Sequence, residues 1–190
     1  VIGIVASTGG PKGLARFLAD LPPEFPAAVV IVQHIIKGFS THLANWLDRN
    51  CVLPVVEASN GMRIEPGNVY IAPADRHLEV TSQSTLNVYE GQPVEGHCPS
   101  GDVLLESLAR YVGERSVGIV MSGMGSDGTA GLAAIHRIGG RTLVQDKESC
   151  VVYSMPQSAI DLGVVEAVVK LEQLARETLK RVQIINQDIG

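Results

Sequence analysis

The sequence has 190 residues, which suits one domain and allows a substantial core. Hydrophobic residues make up 45% and charged residues 18%, which excludes a disordered chain, and aromatics at only 4% leave the core to Val, Ile, Leu and Ala. The net charge of −5, with no Lys/Arg block and no interleaved basic and aromatic run, gives no support to a nucleic-acid partner. The three cysteines, Cys51, Cys98 and Cys150, are odd in number and lack C-x-x-C spacing. No disulfide framework or zinc knuckle is expected, and a reducing, cytoplasmic setting fits best. Apolar stretches such as Ala27 to Val32 are too short to span a bilayer, so no membrane insertion is expected. The chain opens directly on an apolar, strand-like run, which suggests a fragment trimmed from a longer protein.

In chain order, Val1 to Val5 reads as a buried strand and Pro11 to Asp20 as a helix with Pro11 near its first turn. Ala28 to Gln33 is a second strand, followed by a helix from about Ser40 to Asn50 with Leu43, Trp46 and Leu47 on one face. From Val55 to Glu90 the pattern changes to short strands (VVEA, NVYIA, LEVT, LNVYE) between Gly, Pro, Asn and Ser, which predicts hairpins at an antiparallel edge. Alternation then resumes with helix 103–112, strand 117–121, helix 130–138, strand 141–145, helix 157–162, strand 164–169 and helix 171–182. Such β-α units with all-apolar strands predict a doubly wound α/β fold. Its sheet should be mostly parallel, with helices on both faces and an antiparallel hairpin region mid-chain.

In such sheets ligands bind beyond the carboxyl ends of the strands, so reactive residues just after strands matter most. Ser7 follows the first strand in Ala6-Ser7-Thr8-Gly9-Gly10-Pro11. A serine on a strand-to-helix turn is exposed, with backbone N–H groups behind it for a developing negative charge. Alone it reads more readily as a helix cap. His34 follows the second strand, where a neutral imidazole can take the serine proton. His42, His77, His97 and His136 are less well placed and read as surface or capping residues. Asp127, in Met121-Ser122-Gly123-Met124-Gly125-Ser126-Asp127-Gly128-Thr129, follows the VGIVM strand and can orient the imidazole. A cap by Asp127 or Thr129 is again the commoner use. Ser122 is a rival nucleophile, but Val120 stands where a G-x-S-x-G elbow needs glycine. Together the three strand-end residues supply a nucleophile, a base and an orienter for acyl transfer. No ligand cluster suggests a metal, and no cofactor is expected.

The stretches GIVASTGGPKGL, VQHIIKGFS, GNVYIAPADRHLEV, CPSGDVLLESLA, VMSGMGSDGTAGL and GGRTLVQDKESCVVYSMPQSAI cover nearly the whole chain. In them it resembles the catalytic domain of CheB-type protein-glutamate methylesterases. The resemblance implies demethylation of glutamate methyl esters, and deamidation of particular glutamines, on the cytoplasmic helices of methyl-accepting chemotaxis receptors. It makes residues 1–190 a methylesterase catalytic domain. The parent protein would carry an N-terminal receiver domain, phosphorylated by a histidine kinase in two-component signalling. Carried over by motif, the nucleophile is Ser7, the base His34 and the carboxylate Asp127. Thr8, Gly9, Gly10, Met124 and Gly125 become site-lining or oxyanion positions, with the Met124 N–H as donor. The chain departs at Ile36 and Lys37, where the family usually has prolines, and at Cys98 and Gly101, where it often has Arg and Val.

Three cations near the expected site, Lys12, Arg16 and Lys37, are candidate docking residues for an acidic receptor helix, or simply a solvated face. The same chemistry in a non-motility chemosensory pathway would look alike. The rival of another class is a nucleotide- or phosphate-binding regulatory domain with an anion in the 7–10 turn.

Overall fold

A computed structural model of the chain describes residues 1–187. At its centre lies β1 (Ile2–Ala6), apolar at every position because both its faces are covered. Successive side chains point to opposite faces of the sheet. Ile2, Ile4 and Ala6 therefore enter one core layer and Val5 the other. Against β1 lie β2 (Val29–Gln33) on one side and β7 (Val117–Val120) on the other, both parallel to it. Beyond β2 come β4 (Val69–Ile71) and β3 (Val55–Glu57); beyond β7 come β8 (Arg141–Gln145) and β9 (Ala167–Val169). All seven strands of this sheet run parallel.

One face is covered by α1 (Gly10–Ala19), α2 (Ser40–Asp48) and α6 (Leu171–Gln187), which bring Leu14, Phe17, Leu18, Leu47 and Leu174 to the core. The other face is covered by α3 (Gly101–Tyr111), α4 (Thr129–Arg137) and α5 (Ser154–Asp161), with Leu104, Leu108, Leu132 and Ile135 pointing inward. The hairpin β5 (His77–Val80) with β6 (Leu86–Tyr89) packs outside α3 as a separate two-stranded sheet. No helix among the described residues is long and apolar enough to cross a membrane.

The central hairpin expectation is corrected in two of its four strands. VVE and VYI do not pair antiparallel at an edge; they are β3 and β4 of the parallel sheet. Residues 58–68 make the crossover between them without a helix, and Met62 and Ile64 of that segment pack on the second core layer. A crossover that has no helical period looks in sequence like a hairpin loop. Only LEVT and LNVYE form the predicted antiparallel pair. Helix ends also shift: α5 starts at Ser154 rather than 157, and α6 runs to Gln187 rather than 182.

The strand order fixes where a site can form. The chain leaves β1 toward β2 through α1 on one face, but leaves β7 toward β8 through α4 on the other. Where neighbouring strands send their connections to opposite faces, a crevice opens at their carboxyl ends. Here that crevice lies between β1 and β7.

Candidate active site

Ser7 is the first residue after β1, half-buried, and its N–H donates to the Ser122 carbonyl at 3.0 Å just past β7. The register pairs Ala6 with Gln33, and the His34 N–H donates to the Ala6 carbonyl at 2.9 Å. Ser7 and His34 thus leave adjacent parallel strands at the same level. Gln33, itself buried, sends its amide nitrogen to the carbonyls of both Ser7 and His34, each at 2.9 Å. One side chain ties the two turns together.

Neither helix that follows these loops is capped by a side chain of its own loop. α1 starts from Gly9 and α4 from Gly128, both left-handed at φ 85° and 95°. Glycine adopts that backbone without steric cost. Ser7, Thr8, Asp127 and Thr129 are therefore not used as caps of these two helices, which removes the commoner reading of each.

Asp127 is almost fully buried and accepts four hydrogen bonds. They come from His34 Nε2 at 2.7 Å, Ser100 Oγ at 2.8 Å, the Gly101 N–H at 2.6 Å and the Asp102 N–H at 3.0 Å. The two N–H groups, at the first turn of α3, have no partner within the helix itself. Burial pushes the Asp127 carboxyl upward, but the bonds from His34, Gly101, Asp102 and Ser100 outweigh it and hold it at about 2. A carboxylate only accepts, so Nε2 of His34 carries the proton. The other ring nitrogen, Nδ1, is buried without a hydrogen-bond partner. Its lone pair is free for a proton.

His97 overturns its expectation as a surface histidine. Its ring stacks on that of His34, with centroids 4.1 Å apart and planes within 7° of parallel. Burial lowers its pKa, and the neighbouring His34 lowers it further, against Asp127 and Glu95. His77 is also no surface residue: it is buried, bonded to the Gln92 carbonyl at 3.0 Å and to the Ser100 N–H at 3.3 Å. His42 and His136 are exposed; His42 Nδ1 lies 3.1 Å from the Gly38 carbonyl and caps no helix.

His34, His97 and Asp127 offer ligand atoms within 4.8 Å of one another, a spacing that invites a metal. An imidazole lone pair lies in the ring plane, however, and two parallel planes share no point. One ion cannot bind both rings as they stand.

The other expected positions divide. The N–H groups of Thr8, Gly9 and Met124 have no protein acceptor among the described residues, as an oxyanion donor requires. Gly10 and Gly125 are spent: Gly10 donates to the Ser7 carbonyl at 2.8 Å, and Gly125 to Ser154 Oγ at 2.9 Å. Both line the turn but do not serve as donors. Ser122, the rival nucleophile, is a staple. Its hydroxyl contacts the Thr8 carbonyl at 2.7 Å and accepts from Val151 and Val152 N–H groups at 3.0 and 3.1 Å, tying the Ser7 turn to that loop. Of the candidate docking cations, Lys12 is exposed. Arg16 pairs with Asp20 at 3.0 Å and Lys37 with Asp75 at 3.4 Å.

A serine, a histidine and an aspartate now stand on loops at one edge of the sheet, and the CheB methylesterase pattern matches residues 2–178. The chain belongs to the CheB methylesterase family. It is 43% identical over 185 residues to a protein-glutamate methylesterase/protein-glutamine glutaminase of Yersinia pestis, covering 96% of this chain and 53% of that one. The Salmonella typhimurium protein of the same name is 40% identical over the same coverage. The chain thus spans about half the length of these curated relatives. In structure it is similar to the Thermotoga maritima CheB methylesterase catalytic domain, with a TM-score of 0.92 at 35% identity, covering 94% of this chain and 96% of that one. Of the residues around this site, sequence reasoning passed over Gln33, Ser100 and Asp102 and read His97 as a surface or capping residue. Gln33 was visible as the polar end of an apolar strand; the others lie in loops or first turns with no such signal.

Proposed function

We propose that this chain is the catalytic unit of a cytoplasmic protein-glutamate methylesterase, acting on methylated glutamates of chemotaxis receptors. The observation that carries the reading is the His34 imidazole, with Nε2 bound to buried Asp127 and Nδ1 free, just past the strand that pairs with the one before Ser7.

Ser7 attacks the ester carbonyl while Nδ1 of His34 takes its proton. Asp127 keeps the ring in one tautomer and stabilises the imidazolium that forms. The free N–H groups of Thr8 or Gly9, with that of Met124, hold the oxyanion. His34 then protonates the departing methanol, and water repeats the sequence to release glutamate. With ammonia as leaving group the same steps deamidate a glutamine. The loops at this edge carry the exposed apolar side chains Ile36, Phe39, Met124 and Val151, which suit a protein surface as substrate.

The resemblance adds a phosphorylatable receiver domain in the parent protein, covering this edge until phosphorylation shifts it away. The deciding experiment is methanol release from methylated receptors of the source cell by the wild-type chain, with Ser7→Ala as control. No release by the wild type, with nucleotide bound tightly instead, would replace this reading with the phosphate-binding one.

A further inference from the structure

Two buried aspartates hold each other's helices. Asp127 stands on the loop before α4, yet its carboxylate receives the first N–H groups of α3, from Gly101 and Asp102. Asp102, in the first turn of α3, sends its carboxylate the opposite way, to the Gly131 N–H of α4 at 2.8 Å. Each carboxylate thus satisfies donors that the other's helix would leave open. These two helices pack on each other more extensively than any other pair of elements.

Asp102 makes no hydrogen bond to Ser7 or His34, and a neutral amide oxygen would serve the Gly131 N–H without the cost of a buried charge. An ionisable group that is 7% exposed beside a second carboxylate is costly to keep. We infer that Asp102 is a positioning residue, acting through Asp127: its charge fixes the α4 end of the loop that aims Asp127 at His34. The inference rests on the esterase reading above.

The ionisable groups around Asp102 are Asp127 on the loop before α4, Glu106 one turn on in α3 and, beyond Asp127, His34 with His97 against it. From α4 it meets the N–H groups of Gly131 and Gly128. Burial raises its pKa to about 6, with Asp127 and Glu106 adding to the rise against the two N–H groups. Asp102 therefore gains a proton just below neutral pH, weakening its hold on α4.

The test is the pH–rate profile of kcat/KM on a methyl ester for the wild type and Asp102→Asn. Asparagine keeps the shape and one acceptor but cannot carry charge. At pH 7.5 the variant should lose about 3- to 10-fold in kcat with KM within about twofold, the loss of one charged acceptor. Its acid limb should move to lower pH by about half a pH unit, because one negative charge near the base and one titration are gone. A lower kcat or melting temperature with an unmoved acid limb would make Asp102 a structural residue only and overturn the inference. Carbon-13 NMR of the aspartate carboxyls in the wild-type chain reads the same point without a substitution. The Asp102 inflection, expected at about 6, should perturb the Asp127 signal, whereas an Asp102 titration that leaves Asp127 unmoved overturns the inference. Wild-type turnover separates the two readings: if it is absent the esterase reading fails, and if it is present with identical profiles only Asp102's role fails.

Discussion

The imidazole of His97 lies flat on that of His34, 4.1 Å centroid to centroid, while Asp127 holds the edge of the same ring at 2.7 Å. His34 is thus fixed in the plane by a carboxylate and covered on one face by a neutral ring. When His34 takes a proton, burial and that new charge both keep His97 neutral. Replacing His97 with Ala should wet that face and lower kcat by about 2- to 10-fold, the worth of one aromatic contact. His97→Phe keeps a ring and should retain most of the rate. Steady-state kinetics on a small methyl ester checks both, and a wild-type rate in His97→Ala would reduce the stack to packing.

Ser7→Ala should abolish turnover and fluorophosphonate labelling with the fold intact. His34→Ala should lose nearly as much, because the two act as a unit. Asp127→Asn should cost about 10²- to 10⁴-fold, since asparagine can favour the wrong imidazole tautomer. Near-normal turnover by Ser7→Ala would refute the assignment.

Gln33 should matter for both stability and rate. In Gln33→Leu the Ser7 and His34 carbonyls lose their shared donor, a cost of about 1–3 kcal/mol. The Ser7 carbonyl keeps its bond from Gly10, so the turn should loosen rather than unfold. Urea melts should show the lower stability, and slower labelling of Ser7 by a fluorophosphonate the looser turn. Unchanged labelling would confine Gln33 to a structural part.

The two aspartates predict an unusual pH dependence of stability. Asp127 is depressed from 3.8 to about 2, so its contribution is full above pH 4 and lost as pH falls toward 2, about 2 kcal/mol in all. Asp102 is raised from 3.8 to about 6, so the folded state binds the extra proton between those values and gains stability as pH falls through 6. From this pair alone stability should peak near pH 4. Denaturant melts from pH 7 to 2 check it, and in Asp102→Asn the gain below pH 6 should vanish.

Prolonged chelation should leave activity unchanged, because the stacked rings of His34 and His97 cannot share an ion. Activity lost to a chelator and restored by zinc would contradict the serine mechanism.

Strand ends were readable from sequence because their signals are local. An all-apolar run such as Ile2–Ala6 announces a strand covered on both faces, and the glycine-rich turn after it announces where the strand stops. That was enough to put Ser7, His34 and Asp127 at one edge of one sheet. The pairing of VVE and VYI was not readable, since parallel and antiparallel partners ask the same of a short apolar strand, and residues 58–68 carry no helical period.

The environment of the candidate residues was still less legible. His34 meets Asp127 across 93 positions of chain, and Asp127 meets Ser100 across 27. His97 sits in an irregular loop, where no period says which way a side chain turns. Asp102 looks like any acidic residue at the start of a helix until α4 is laid across α3. The sequence alone determined which residues end the strands, because backbone propensity and apolar patterning act over a few neighbours. Only the tertiary structure decided what faces His34 and Asp127, because those partners are brought in by packing between elements far apart in the chain.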